Sequence, residues 1–167
     1  MLIPGSPALS ESRVQAIRKR ISQCAIDVEI LRNGYVHLAL LAQVNEATGA
    51  SPSASAPAED EAKEKLYALL AQSGVDRFAA PDELTGSSWL YVSPRRGTIS
   101  PWSSKATDIA QRCGMDWIER LERVMAIELS RPVTDAEQRS QLEALLHDRM
   151  VEEVLWDETA LPQLFSA

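Results

Sequence analysis

What most constrains this chain is the repeated change of apolar period along it. Val14, Ile17, Ile21 and Cys24 recur at helical spacing behind Ser10, which is placed to cap the first turn of an amphipathic helix. "IDVEILR" then alternates, with Ile26, Val28 and Ile30 on one face, and Asn33-Gly34 supplies a hairpin turn into a second strand, "YVHLALL". Ala62, Leu66, Leu69 and Leu70 return to helical spacing, and Gly74 stands near the end of that helix. "SWLYVSP" is a strand that Pro94 terminates, because proline has no N–H to give to a ladder. "DWIERLERVMAIELS" reads as two short strands around Glu122 and Arg123, with a helix as the competitor for its first part. Thr134 and Glu137 form a capping box for a long helix over "DAEQRSQLEALLHDRMVEEVLW", whose Leu142, Leu145, Leu146, Val151, Val154 and Leu155 share an apolar face.

With the short apolar start "MLIPG" counted first, the order is strand, helix, strand, strand, helix. The same order returns from about Trp89, without sequence identity between the halves. Each half would make a small sheet with one side open, and two such sheets can bury those sides against each other. The predicted class is α+β, built from two paired ferredoxin-like units. A length of 167 residues suits one compact domain with a substantial core. "EATGASPSASAPAED", residues 46–60, has little to bury and is expected to be an exposed, mobile loop within that domain.

Acidic residues outnumber basic ones, and the net charge of -7 argues against a general electrostatic grip on nucleic acid or an anionic membrane. Cys24 and Cys113 are too few and too far apart for a metal knuckle or a disulfide framework. Both fall on apolar helical faces, where packed thiols are expected rather than nucleophiles. His37 alternates with Val36 and Leu38 in a presumed strand, His147 lies beside Asp148 on a helix surface, and neither has metal-ligand spacing. The acidic clusters "AED", "EAKEK" and "VEEV" read as solvated helix faces, with no acid and base pair among them. The start lacks a secretory pattern and no apolar run has transmembrane length, so the expected compartment is a reducing cytoplasm.

The densest stretch is "YVSPRRGTISPWSSKATDIAQRCGMD". Ala106, Ile109, Ala110 and Cys113 mark a short helix that packs by small side chains and stops at Gly114. Ser103 or Ser104 either caps that helix or, with Lys105 and Thr107 and the free first-turn amides, makes an anion site. The run is no P-loop, since it lacks the repeated glycines and the terminal glycine, lysine, hydroxyl order. Arg95 and Arg96 fit a solvated turn or bidentate contacts to phosphate or carboxylate, and Trp102 fits a hydrophobic plug or interface anchor better than a base-stacking platform. No self-contained active site emerges.

"SPALS" at Ser6–Ser10, "VSPRRGTISPWSSKATDIAQRCG" and "LHDRM" at Leu146–Met150 together resemble the N-terminal region of the large, single-chain phosphoribosylformylglycinamidine synthases, the glutamine-dependent amidotransferases of purine biosynthesis. The resemblance implies a ligase that converts formylglycinamide ribonucleotide, glutamine and ATP to formylglycinamidine ribonucleotide. Its N-terminal domain resembles two fused copies of the small purine-pathway subunit. It implies residues 1–155 as that domain and 156–167 as a tail toward a linker domain. The ATP and magnesium sites and the glutaminase cysteine belong to regions beyond this chain, so no catalytic, cofactor or metal residue is expected here and the fragment alone is expected to be inactive.

Matched directly to the family run are Arg95, Gly97, Thr98, Ile99, Ser100 and Pro101, then Trp102, Ser103, Ser104, Lys105, Ala106, Thr107, Asp108 and Ile109. Family members commonly carry proline where Arg96 stands, which argues against a shared duty for Arg96. The resemblance implies that this loop packs on the synthetase region, closing the substrate site or a protected ammonia path. There Lys105 would meet a carboxylate and Trp102 would supply apolar area. The expected partners are the synthetase, linker and glutaminase domains, with no nucleic acid and no membrane. A different class of function also fits: an independent scaffold or regulatory module using the same loop to hold a phosphorylated metabolite.

Overall fold

A computed structural model of the chain describes residues 2–5, 7–41, 59–70, 84 and 88–165. The elements are β1 (Leu2–Pro4), α1 (Glu11–Gln23), β2 (Ile30–Leu41), α2 (Glu59–Leu70), β3 (Trp89–Pro94), α3 (Pro101–Arg112), β4 (Ile118–Leu129), α4 (Ala136–Leu146), β5 (Glu152–Leu155) and a closing 3-10 helix, Glu158–Phe165. The α+β class holds, but the halves meet edge to edge within one antiparallel sheet, ordered β1-β2-β4-β3-β5, rather than as two sheets face to face. About the central β2–β4 pair four strands are arranged symmetrically, β1 flanking β2 as β3 flanks β4, and β5 extends the β3 side alone.

Side chains alternate across a sheet, so Leu121, Arg123, Met125, Ile127 and Leu129 share one face of β4. Ile127 and Leu129 pack with Ile17 and Ile21 of α1 and Leu142 and Leu146 of α4. Leu121 packs with Ala39, with Ala62 and Leu66 of α2, and with Ala110 of α3. The four helices therefore cover one face as two pairs, one over each end of the long β2–β4 ribbon. On the opposite face Val36, Leu38, Tyr91, Val124 and Ala126 are sealed by Leu84 and by Leu161 and Leu164 of the 3-10 helix. Burying two leucines contributes about 3–6 kcal/mol as an upper bound, enough to dock that short helix.

Several local expectations yield to long-range pairing. Asn33-Gly34 makes no hairpin: β2 runs straight through it in register with β4, Asn33 opposite Ile127 and Gly34 opposite Ala126. A type I′ turn needs positive φ at both central residues, and neither has it. Asn33 instead accepts the N–H groups of Ala8 and Leu9 at 3.1 and 2.8 Å, fixing the entry to α1. The two short strands expected around Glu122 and Arg123 are one 12-residue strand. The long C-terminal helix stops at Leu146, because β5 gains an edge on β3, where Val154 pairs with Val92 and Leu155 with Tyr91. Thr134 yields the cap of α4 to Asp135, whose carboxylate accepts from the Gln138 amide at 2.9 Å. Ser10 does cap α1, and Pro94 does close β3. The loop expected over residues 46–60 lies outside the described residues up to 58, as does Gly74.

Candidate functional site

The distinctive run begins as a tight turn. The Thr98 N–H donates to the Arg95 carbonyl at 3.2 Å, and Gly97 takes φ +81°, the value a type II turn places at its third position. Arg96 leans onto the neighbouring edge, with Nε 3.0 Å from Glu153 and Nη1 donating to Gln163 at 2.8 Å. The helix then starts earlier than its serines predict. Ser100, not Ser103 or Ser104, is the N-cap: its Oγ accepts from the Ser103 amide at 3.0 Å, and Pro101 follows at the first helical position, where its missing N–H costs nothing. At the other end Gly114 is left-handed at φ +88°. Its N–H and that of Met115 return to the Gln111 and Ala110 carbonyls, which closes a Schellman motif.

Under the cap lies a buried carboxylate. Glu122 has 0 % exposure. Its Oε1 accepts the Ser100 hydroxyl at 2.8 Å and the Arg123 amide at 3.0 Å, while Oε2 accepts Arg120 Nη2 at 2.9 Å. Arg120 gives three more N–H groups to the Thr98 carbonyl at 3.0 Å, the Leu164 carbonyl at 3.2 Å and the Ser103 hydroxyl at 3.3 Å, and its guanidinium carbon lies 5.2 Å from the Phe165 ring centre. One ion pair thus ties the turn, the start of α3, β4 and the closing 3-10 helix together. Breaking such a buried pair from one side costs about 3–5 kcal/mol, so the loop is braced rather than merely connected.

The hydroxyl run also does structural duty. β3 accompanies β4 only from Met125 to Glu128, which leaves the earlier residues of β4 without a ladder partner on that side. α3 takes the place of a strand there. The Ser103 hydroxyl donates to the Leu121 carbonyl, the Leu121 N–H donates to Thr107 Oγ1 at 3.0 Å, and Gln111 donates to the Ile118 carbonyl at 3.0 Å. Buried backbone groups need such partners, which explains serine and threonine at i and i+4. Small side chains serve this approach only in part: Ala110 is fully buried, but Ile109 is 43 % exposed and Cys113 is exposed, against the expectation of a packed thiol.

Between α2, α3 and the sheet lies a cavity of about 370 Å³, lined by Tyr35, His37 and Arg123 from the strands, Trp102, Lys105, Ala106 and Ile109 from α3, and Leu69 and Leu70 from α2. The Arg123 guanidinium carbon lies 4.3 Å from the Tyr35 ring centre and 5.0 Å from that of Trp102. The His37 ring stands 5.5 Å from Trp102, and its Nδ1 is 3.3 Å from the Ile3 carbonyl. A carbonyl only accepts, so Nδ1 carries the proton and Nε2 is left as an acceptor. Burial, with a smaller push from Arg123, lowers the His37 pKa from 6.5 to about 4, against the opposing pull of the Ile3 carbonyl. Gly5 leaves room for this ring: a Cβ there would stand 2.7 Å from His37 Cε1.

Of the residues singled out in the sequence, Arg95, Gly97, Thr98, Pro101, Ser104, Lys105 and Asp108 are exposed, and Ile99 is 64 % exposed. Ser103 is buried, while Ser100, Trp102 and Thr107 are half-buried. Asp108 pairs within the helix with Arg112 at 3.1 Å. Arg120, Glu122, Tyr35 and Arg123 were not picked out from the sequence as site residues, whereas His37 stands as expected in a strand, buried and opposite Arg123. Their signal was present once β4 is a single strand: Arg120 and Glu122 stand two apart on one face, and His37 and Arg123 are cross-strand partners. The family model described as formylglycinamide ribonucleotide amidotransferase N-terminal matches residues 50–165.

Proposed function

The chain belongs to the formylglycinamide ribonucleotide amidotransferase N-terminal family, and from that membership we propose that it is the structural and interface domain of a phosphoribosylformylglycinamidine synthase. Its part in purine biosynthesis is to support the ATP- and glutamine-dependent amidation of formylglycinamide ribonucleotide carried out by other domains of the enzyme in the cytoplasm. The observation that carries the interface role is an exposed edge held rigid from below. Ile99 stands 64 % exposed beside Arg95 and Thr98, on a loop that the fully buried Glu122 and its Arg120 partner brace. A flexible loop would lose the entropy of ordering on docking, and a braced one has already lost it in folding.

In this proposal Arg95, Ile99, Ser104 and Lys105 meet the synthetase region, while Ser100, Ser103 and Thr107 set the geometry of that edge. Trp102 packs inward beside His37 and Arg123 and positions the helix rather than capping the contact. The contact would help to close the substrate site or an ammonia path, where exclusion of water matters. We also propose that the domain derives from two fused copies of a small ferredoxin-like subunit. Support comes from the order of the first four strands, symmetric about β2–β4 once the edge strand β5 is set aside, and from the helix pairs α1 with α4 and α2 with α3.

The test is Arg95→Ala with Lys105→Ala in the full-length enzyme, with glutamine-dependent and ammonia-dependent turnover measured separately. Loss of the first with retention of the second points to the ammonia path, and loss of both to closure of the substrate site. Unchanged values of both would sink the interface role.

A further inference from the structure

The cavity over the middle of the helix-bearing face shares only Lys105 with that contact. We propose that it is a binding site for a small organic anion, a carboxylate or phosphate monoester carried on a flat ring. Its size is the first reason: about 370 Å³ falls within the range of small-molecule sites, and four elements, β2, β4, α2 and α3, wall it.

Charge is the second reason. Among the described residues, neither Arg123 nor Lys105 has a carboxylate partner, although the chain as a whole is acidic, at net -7. Cations left unpaired inside a concavity are where an anion gains most. Arg123 is also prepared for one, since the Tyr35 and Trp102 rings at 4.3 and 5.0 Å hold its guanidinium in place before any ligand arrives. A planar fork fixed in this way can give two parallel N–H bonds to an oxyanion at little entropic cost.

The third reason is what surrounds the charges. Leu69, Leu70, Ala106 and Ile109 offer apolar wall, and the Trp102 indole offers a ring. Bare phosphate would leave these surfaces unused, whereas a flat ring would remove them from water. Neutral His37, with Nε2 as acceptor, adds a place for a ring N–H or O–H. Tyr35, His37 and Arg123 lie on the sheet and not on the exposed loop, so Arg123→Gln tests the site without touching an interface residue, and Lys105 alone belongs to both.

The test follows the Trp102 indole N–H by NMR on the 15N-labelled chain, assigned through Trp102→Phe, while Trp89, Trp117 and Trp156 report on the rest of the fold. The probes are benzoate, phenyl phosphate, benzyl alcohol and inorganic phosphate. Expected is a saturable shift confined to Trp102 with benzoate or phenyl phosphate, at a Kd below about 1 mM. The two anions distinguish carboxylate from phosphate ligands. Benzyl alcohol and inorganic phosphate should each bind at least roughly ten-fold more weakly, and Arg123→Gln should weaken the better anion by roughly ten-fold. Because Arg123 sits at the sheet centre, Lys105→Ala on the exposed helix surface is the second variant; it should weaken binding roughly three-fold with an unchanged melting temperature. The proposal is overturned if neither anion saturates by roughly 10 mM, if benzyl alcohol binds as tightly as the anions, or if both variants bind like the parent.

Discussion

Glu122→Gln is the most informative single change, because it alters one charge and almost no volume. The Glu122 carboxylate takes three hydrogen bonds: the Ser100 hydroxyl and the Arg123 amide on Oε1, and Arg120 Nη2 on Oε2. A glutamine can keep its carbonyl oxygen for Ser100 and the Arg123 amide. Its NH2 group then faces the Arg120 guanidinium, donor against donor. Removing one partner of a buried pair costs about 3–5 kcal/mol. Arg120 keeps 16 % side-chain exposure and two backbone carbonyls, which lowers the expected cost to about 2–3 kcal/mol. For a chain of this size each kcal/mol moves the melting temperature by about 2–4 °C, so a fall of about 4–12 °C is expected. A double-mutant cycle with Arg120→Met isolates the pair, and the two single costs should exceed the double by about 2 kcal/mol. Amide exchange at Ser103 and Ser104 should accelerate in every variant of the cycle. A melting temperature that stays put for Glu122→Gln, or a cycle additive to within about 0.5 kcal/mol, would refute the brace.

The remaining predictions concern pH and backbone. His37 binds its proton in the unfolded chain below 6.5 and in the fold only below about 4, so stability is full above that window and is lost as pH falls through it, by about 3 kcal/mol in all. Urea midpoints at pH 7.5 and 4.5 should therefore diverge less in His37→Gln than in the parent; an equal divergence contradicts the assignment. Ser100→Ala removes both the α3 cap and a hydroxyl on Glu122, and should cost about 1–2 kcal/mol by urea denaturation. Gly97→Ala meets no atom within 4 Å, so its cost is the left-handed backbone alone, about 1–2 kcal/mol. Arg96→Pro, at the second position of the same turn, suits the fixed φ of proline but takes the guanidinium away from the buried Glu153 Oε1 and from Gln163, so it should cost about 1–2 kcal/mol. A large loss there would show that the turn is not type II.

Where the chain's own neighbours decide the outcome, the sequence was sufficient. Ser10 before Val14, Ile17 and Ile21 gave α1 its cap and its buried face, Pro94 closed β3, and Gly114 stopped α3, because these are effects of one to four residues. The residues 95–108 were likewise visible as an unusual run, and with Ser6–Ser10 and Leu146–Met150 they carried the resemblance to the family that the match over residues 50–165 bears out. What the sequence misjudged were places where a local preference competes with a distant partner. Asn33-Gly34 favours a turn in isolation, yet β4 offers β2 a ladder along its whole length and the turn is overruled. Val151, Val154 and Leu155 suit a helix face until an open edge of β3 makes alternation the better use of the last two. The hydroxyls of Ser103 and Thr107 look like a phosphate cradle until Leu121 is seen to need both a donor and an acceptor. Local codes thus fixed the helix caps and stops, whereas the buried Glu122, the pairing of His37 with Arg123 and the cavity between them were decided by strand register. Register joins residues some ninety positions apart, and no local window contains it.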